Sequence, residues 1–223
     1  MKGMFSYVPI NNLNLSSWDT RNVTNMSEMF KSVGKEGVVI LKLGFDTSNV
    51  TDMSHMFDYV DDIDGIKKIH KIDLGDKFDT SKVTDMSSMF SGIGMFDEDF
   101  VLDLGDKFDT RNVTDMSFMF AGTGYFSKRY TLILGDKFDT TKVVNMDRMF
   151  VNIGRNANEI NFNLGNRFNT ANVINMDYMF AGAGFDTLNF KLDCSSWNVD
   201  KVTNYTSFNS EVESKIIAPV WKN

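Results

Sequence analysis

Cysteine is almost missing. Cys194 stands alone in 223 residues, which excludes an internal disulfide framework, and a lone cysteine cannot form a zinc site. Histidine occurs only as His55 and His70, in different surroundings and with no nucleophile or carboxylate in a shared motif. That scarcity argues against a catalytic centre, so no catalytic residue, cofactor or metal is assigned. No run approaches 18 apolar residues, so no membrane insertion is expected. The start, MKGMFSYVPINN, lacks the long apolar segment and small-residue cleavage site of a secretory signal. The expectation is a protein not exported by that route, or an excised part of a longer one. Basic residues are outnumbered, 23 against 30 acidic, giving a net charge of −7. This balance argues against nucleic acid as a partner. With 42% hydrophobic and 24% charged residues, the chain can bury a core and is not disordered by composition.

What is abundant is repeated. Twelve of the 15 methionines fall in copies of one octapeptide: VTNMSEMF (23–30), VTDMSHMF (50–57), VTDMSSMF (83–90), VTDMSFMF (113–120), VVNMDRMF (143–150), VINMDYMF (173–180) and the degenerate VTNYTSFN (202–209). Their leading valines are spaced by 27, 33, 30, 30, 30 and 29 residues. Regular periods of this size are the mark of solenoids and arrays.

Each unit divides into three pieces. An alternating run, such as FVLDLG (100–105) or YTLILG (130–135), has the period of a strand with one buried face. A corner follows, in its fullest form GDKFDT, with one aromatic per unit: Trp18, Phe45, Phe78, Phe108, Phe138, Phe168 and Trp197. Such a column is expected to stack inside. In the octapeptide, methionine and phenylalanine at i, i+3 and i+4 fit one face of a helical turn. The Ser, Asp or Thr after the first methionine is a helix N-cap type. The expectation is a short strand and one 3₁₀ or α turn per unit.

These pieces predict a repeat solenoid, leucine-rich-repeat-like, of about seven coils of ~30 residues with parallel β-strands. Residues 1–223 form one domain: a half-coil at 1–22, repeats over 23–201 and a capping unit at 202–223. In that cap, Ile216, Ile217, Val220 and Trp221 are expected to cover the last coil. Phe78, Phe108, Phe138, Met86, Met89, Met116 and Met119 are assigned to the core. Paired methionines could ligate Cu(I). Replacement by Tyr205 and Phe208 in the last unit keeps bulk and loses ligation, which favours packing.

The unit also carries a resemblance. WDTRNVTNMSEMF (18–30) and FDTSNVTDMSHMF (45–57) resemble the repeat of the bacterial BspA-like leucine-rich-repeat surface proteins. They are more similar still to the lactobacillus and mycoplasma variant, W-(D/N)-(T/V)-S-N-V-T-(N/D)-M-S-x-M-F. The resemblance implies a solenoid displayed outside the cell or on its surface, acting in adhesion or host interaction. The family's unit is often nearer 25 residues, so a longer loop after the methionine turn is implied here.

Candidate sites lie where the copies differ. Outward positions of the alternating run vary most, and Val101, Asp103, Thr131, Ile133, Asn161 and Asn163 are the expected binding positions, a modest apolar patch with a polar rim. The partner expected is a protein or glycan on a host or neighbouring cell. A monomer is expected, with end-to-end stacking as the alternative and a structural stalk as the competing role. The column Asp76, Asp106, Asp136 could hold a cation, but Lys77, Lys107 and Lys137 beside it favour a solvated charged ridge. Asp61–Gly65 superficially resembles an EF-hand loop and fails at both terminal positions. Ice binding through Thr47, Thr80, Thr110, Thr140 and Thr170 is a remote third reading.

Overall fold

A computed structural model describes residues 1–10, 12–33, 37–59 and 67–222. The Asp61–Gly65 run lies outside the described residues, as do the side chains of Val38, Ile40, His70 and Lys71. The alternating runs form strands: β1 (Asn12–Asn14), β2 (Gly37–Lys42), β3 (Lys67–Asp73), β4 (Asp99–Asp103), β5 (Arg129–Ile133), β6 (Glu159–Phe162) and β7 (Leu192–Asp193). A tail strand, β8 (Ile216–Ile217), follows. All pairings are parallel, in sheets ordered β1-β2-β3, β4-β5-β6 and β7-β8. The fold is a parallel β-solenoid, and no helix occurs among the described residues. The long strands do not form the single run of equivalent coils that the repeat predicts.

On the opposite side the second strand of each unit shrinks to one residue. Isolated parallel bridges link Asn25, Asp52, Asp85, Asp115, Asn145, Asn175 and Asn204 in an unbroken ladder. These are the Asp or Asn of each octapeptide. Beyond the ladder the expected 3₁₀ or α turn is absent. The residue following the presumed cap, for example Phe118 (φ 56°) or Arg148 (φ 53°), is left-handed in every copy from Glu28 to Ser207. Met116, Phe118 and Phe120 donate their amides to the next unit (2.8–3.0 Å), while Met119 N–H closes back on Met116 (3.2 Å). Donors therefore alternate between a local turn and the neighbouring coil, which satisfies the backbone without a helix. The serine caps nothing. It is itself held, its amide and hydroxyl both donating to the preceding acid, as from Ser117 to Asp115 Oδ1 (2.8 and 2.6 Å). This is an Asx turn.

Met86, Met89, Met116 and Met119 have no exposed surface, and Phe78, Phe108 and Phe138 expose 5% or less. The continuous stack is built by the octapeptide phenylalanines. From Phe5 through Phe30, Phe57, Phe90, Phe120 and Phe150 to Phe180, successive rings lie 5.3–5.9 Å apart and within 11° of parallel. Corner aromatics such as Phe108 and Phe138 wedge against it at 46° and 42°.

The glycine ending each long strand sets how closely units approach. A Cβ on Gly135 would lie 2.3 Å from the Gly105 carbonyl oxygen, and one on Gly75 would lie 2.8 Å from Gly44 Cα. Both glycines also have positive φ (79° and 73°), which L side chains adopt at a cost.

The two ends differ. Met1–Val8 repeats the M-x-x-M-F pattern and the bonding of a methionine turn, with Gly3 and Phe5 donating to Ser27 and Met29 (2.9 Å each). At the other end the stack terminates on Phe208, edge-on to Phe180 at 79°, under Trp221. Ile216 is buried, but Ile217 and Val220 are 57% and 79% exposed, so only part of the expected apolar cap covers the last unit. Lys215 Nζ donates to the carbonyls of Gly184, Phe185 and Thr187 (2.8, 2.5 and 2.7 Å). At the preceding level the Arg155 carbonyl, equivalent to that of Phe185, accepts an amide from Asp186. The ammonium stands in for such a donor.

Candidate functional site

The outward positions of β4, β5 and β6 fall into rows. Val101, Thr131 and Asn161 are directly paired neighbours, and Asp103 is paired with Ile133. Val101 is 65% exposed and Ile133 44%, while their inward neighbours Leu102 and Leu132 pack on the core. Asn163 lies just beyond β6. Asp103 and Asn163 have a local duty as well: each accepts the amide of the glycine two residues on (2.9 and 2.8 Å). Val101, Thr131, Ile133 and Asn161 carry no such bond among those described. A charged border runs beside them, with Lys128 on Glu98 at 2.6 Å and Arg129 on Asp99.

On the corner, Asp76, Asp106 and Asp136 are exposed, and Lys107 reaches Asp76 at 3.1 Å. A groove of about 620 Å³ follows this ridge, lined by acids such as Asp79 and Asp109 and by Lys77, Lys107, Lys137 and Arg111. Hydrogen bonds from Arg111 and its positive charge outweigh burial and hold the Asp109 carboxyl below its ordinary range. Among the described residues no group of three or more His, Cys, Asp or Glu is arranged to hold a metal ion.

The threonines of the remote ice-binding reading are buried. Thr80, Thr110 and Thr140 expose no surface. Each hydroxyl donates to a carbonyl in the next unit, at 2.9, 2.8 and 2.8 Å, and accepts the amide of that same residue, at 2.8, 2.7 and 2.6 Å. They hold units together and offer no surface to ice.

His55 Nδ1 lies 2.8 Å from Asp58 Oδ2, which Lys31 also reaches at 3.1 Å. Burial alone would raise the Asp58 pKa, but hydrogen bonds from His55 and Lys31, with their charges, leave it lowered. Cys194 is buried, and burial, helped by Asp193, pushes its thiol up to about 12. It is therefore protonated at neutral pH, the opposite of an activated thiolate.

One surface feature escaped sequence reasoning. The variable octapeptide position places Arg148 between the rings of Phe118 and Tyr178, 5.3 and 4.5 Å from their centroids. The signal was present as aromatic, cation, aromatic at a 30-residue spacing, but a helical reading of the turn gave no reason to stack those positions.

Four overlapping stretches, residues 1–67, 39–132, 62–183 and 95–216, match a family described as "Mycoplasma protein of unknown function, DUF285". No curated protein and no solved structure matches the chain.

Proposed function

The chain belongs to the mycoplasma DUF285 repeat family, and from that premise we propose that it is a non-enzymatic surface module that binds a macromolecule through the outward face of its long strands. The observation carrying this reading is the exposure of Val101, paired with Thr131, and of Ile133, paired with Asp103, on a sheet whose other face is core. Apolar side chains held rigidly in a polar border are what a docking partner buries with gain. The partner is a protein or glycan on a host or neighbouring cell, and the role is adhesion at the cell surface. Within the proposal, the seven linked residues of the bridge ladder support seven units of the BspA-like, leucine-rich-repeat type.

A panel of glycans and host surface proteins, screened against the wild type and a Val101→Asp, Ile133→Asp variant, tests it. Binding that is lost in the variant, with an unchanged melting temperature, is expected. Binding that survives moves the site to another face. The competing stalk role predicts assemblies that lengthen with protein concentration in light scattering. The cover given to the last unit by β8 and Trp221 supports a discrete module.

A further inference from the structure

The two ends of the solenoid each carry part of a unit, and the parts are complementary. IIAPVW (216–221) aligns with LDCSSW (192–197) and LNLSSW (13–18), the strand and corner of the last and first units. Its contacts follow the alignment. β8 pairs in parallel with β7, and Trp221 leans on Phe208 of the preceding level (5.1 Å). Trp197 leans in the same way on Phe180 (6.1 Å), and Trp18 on Phe5 (5.7 Å). Residues 216–221 are therefore the strand and corner of a further level, and the described residues hold no methionine turn there. Residues 1–8 are the reverse case, a methionine turn with no strand or corner of its own level among the described residues. Gly3 and Tyr7 (φ 60° each) match Glu28 and Ser32 (59° and 50°) in the turn of the next level.

Both parts present the groups that neighbouring levels use. Within the array each turn donates forward: Tyr178 and Phe180 give their amides to the carbonyls of Thr206 and Phe208 (2.8 Å each). One level on, the equivalent amides of Ser207 and Asn209 have no partner among the described residues. At the other end, Lys2 and Met4 hold the accepting positions of Thr206 and Phe208, and their carbonyls accept nothing among the described residues. Met4 is 51% exposed, whereas its counterparts Met29, Met56, Met89, Met119, Met149 and Met179 expose no surface. Each of those has a level on both sides. β1 and β8 are likewise edges, each paired on one side only.

We propose that two copies of this chain join head to tail, residues 1–8 of one seated on residues 205–210 of the other. Ser207 then donates to Lys2 and Asn209 to Met4, and β1 comes beside β8 as the next strand. The incomplete level is finished from two chains, with β8 and Trp221 from one and the methionine turn from its neighbour. Donors lie on one end and acceptors on the other, so the contact is heterologous and can repeat. One turn and one short strand edge make a small joint, so the chain is single when dilute and joins when concentrated. The cover that β8 and Trp221 give the last unit stops at its strand and corner. Joined copies set their long-strand faces in a row, which goes beyond the binding reading and leaves its surface open.

The test places Lys2→Cys and Thr206→Cys, both at exposed positions, in separate full chains. Successive levels lie about 4.8 Å apart, within the roughly 4.4–6.8 Å between Cα atoms that a disulfide spans. Cys194 is buried and stays out of the reaction. Equal amounts are mixed as concentrated solutions, oxidised with glutathione disulfide, and the cross-linked products are measured by mass spectrometry. The mixed disulfide should exceed either homodimer about tenfold or more, a preference worth ~1.4 kcal/mol. Adding Met4→Asp to the Lys2→Cys chain should return the products to the proportions of random pairing. Because that change also loosens the first turn, a second mixture leaves both ends intact except for the probe. Thr206→Cys with Lys128→Cys, an exposed position on the sheet side, should pair at random. Random proportions in the first mixture overturn the proposal. So does an excess of either homodimer, or an equal excess with Lys128→Cys. The Val101→Asp, Ile133→Asp change, added to both cysteine chains, should leave the cross-link as it was. Loss of the cross-link with retained panel binding therefore sinks this inference alone.

Discussion

The Thr110 hydroxyl donates to the Asp139 carbonyl oxygen at 2.8 Å and accepts the Asp139 amide at 2.7 Å. One side chain, itself fully buried, thus closes both backbone groups of a half-buried residue in the next unit. Thr110→Val keeps the shape and leaves a buried donor and acceptor unpaired. The expected loss is about 1–3 kcal/mol, read as a lower urea midpoint at unchanged slope. Thr110→Ser should recover most of it.

Core volume gives a second contrast. Phe108→Ala should cost about 3–5 kcal/mol, because the ring wedges against Phe90 and its loss leaves a cavity. Met116→Leu with Met119→Leu conserves volume and should cost less than about 1.5 kcal/mol per site. Chemical denaturation of the two variants compares them. Equal losses would show that the methionines do more than fill space.

The left-handed turn predicts a gain from substitution. Ser207 has φ 53° and is exposed, a conformation costing a non-glycine residue ~1–2 kcal/mol. Ser207→Gly relieves it and pays back part in unfolded-chain entropy, for a net gain of about 0.5–1 kcal/mol. Ser207→Val should lose stability. A turn that were really helical would invert the order, since glycine is the poorer helix residue.

Asp58 sets an acid limit. Its folded pKa lies below the ordinary carboxylate value, so its contribution is complete above the unfolded pKa, about 3.9. It is lost as the pH falls through the depressed folded value. Melting temperatures of the wild type and Asp58→Asn should differ most near neutral pH and converge as the carboxylate protonates. A gap unchanged down to acid pH would remove the ion pair with Lys31 from the account.

The repeat, the alternation of its long strands and the residues facing inward were legible because each follows from period alone. The octapeptide turn was not. Methionine and phenylalanine at i, i+3 and i+4 suit a helix, and the left-handed position is held by Glu28, His55, Phe118 or Arg148 instead of a revealing glycine. Asp115, two residues before Ser117, was the readable sign of an Asx turn. The candidate face was placed in its rows by alternation. That Asp103 also braces its own turn needed coordinates. The interruption between β3 and β4 leaves no trace in spacing: Val83 to Val113 is 30 residues, as is the fully paired Val113 to Val143.

Just before each octapeptide valine from Asn49 onward, asparagine and lysine alternate. Lys82 donates to Asn49, Lys142 to Asn112 and Lys201 to Asn172 (2.6–2.7 Å), while Asn112 and Asn172 reach back to the carbonyls of Ser81 and Thr141 (2.7 Å each). This ornament has twice the period of the scaffold beneath it. The first two units depart from it: Asn49 follows Asn22 at the same position and donates to the Arg21 carbonyl (2.7 Å). From Asn49 onward the surface of the array therefore repeats every second unit, about 60 residues, while its core repeats at every one.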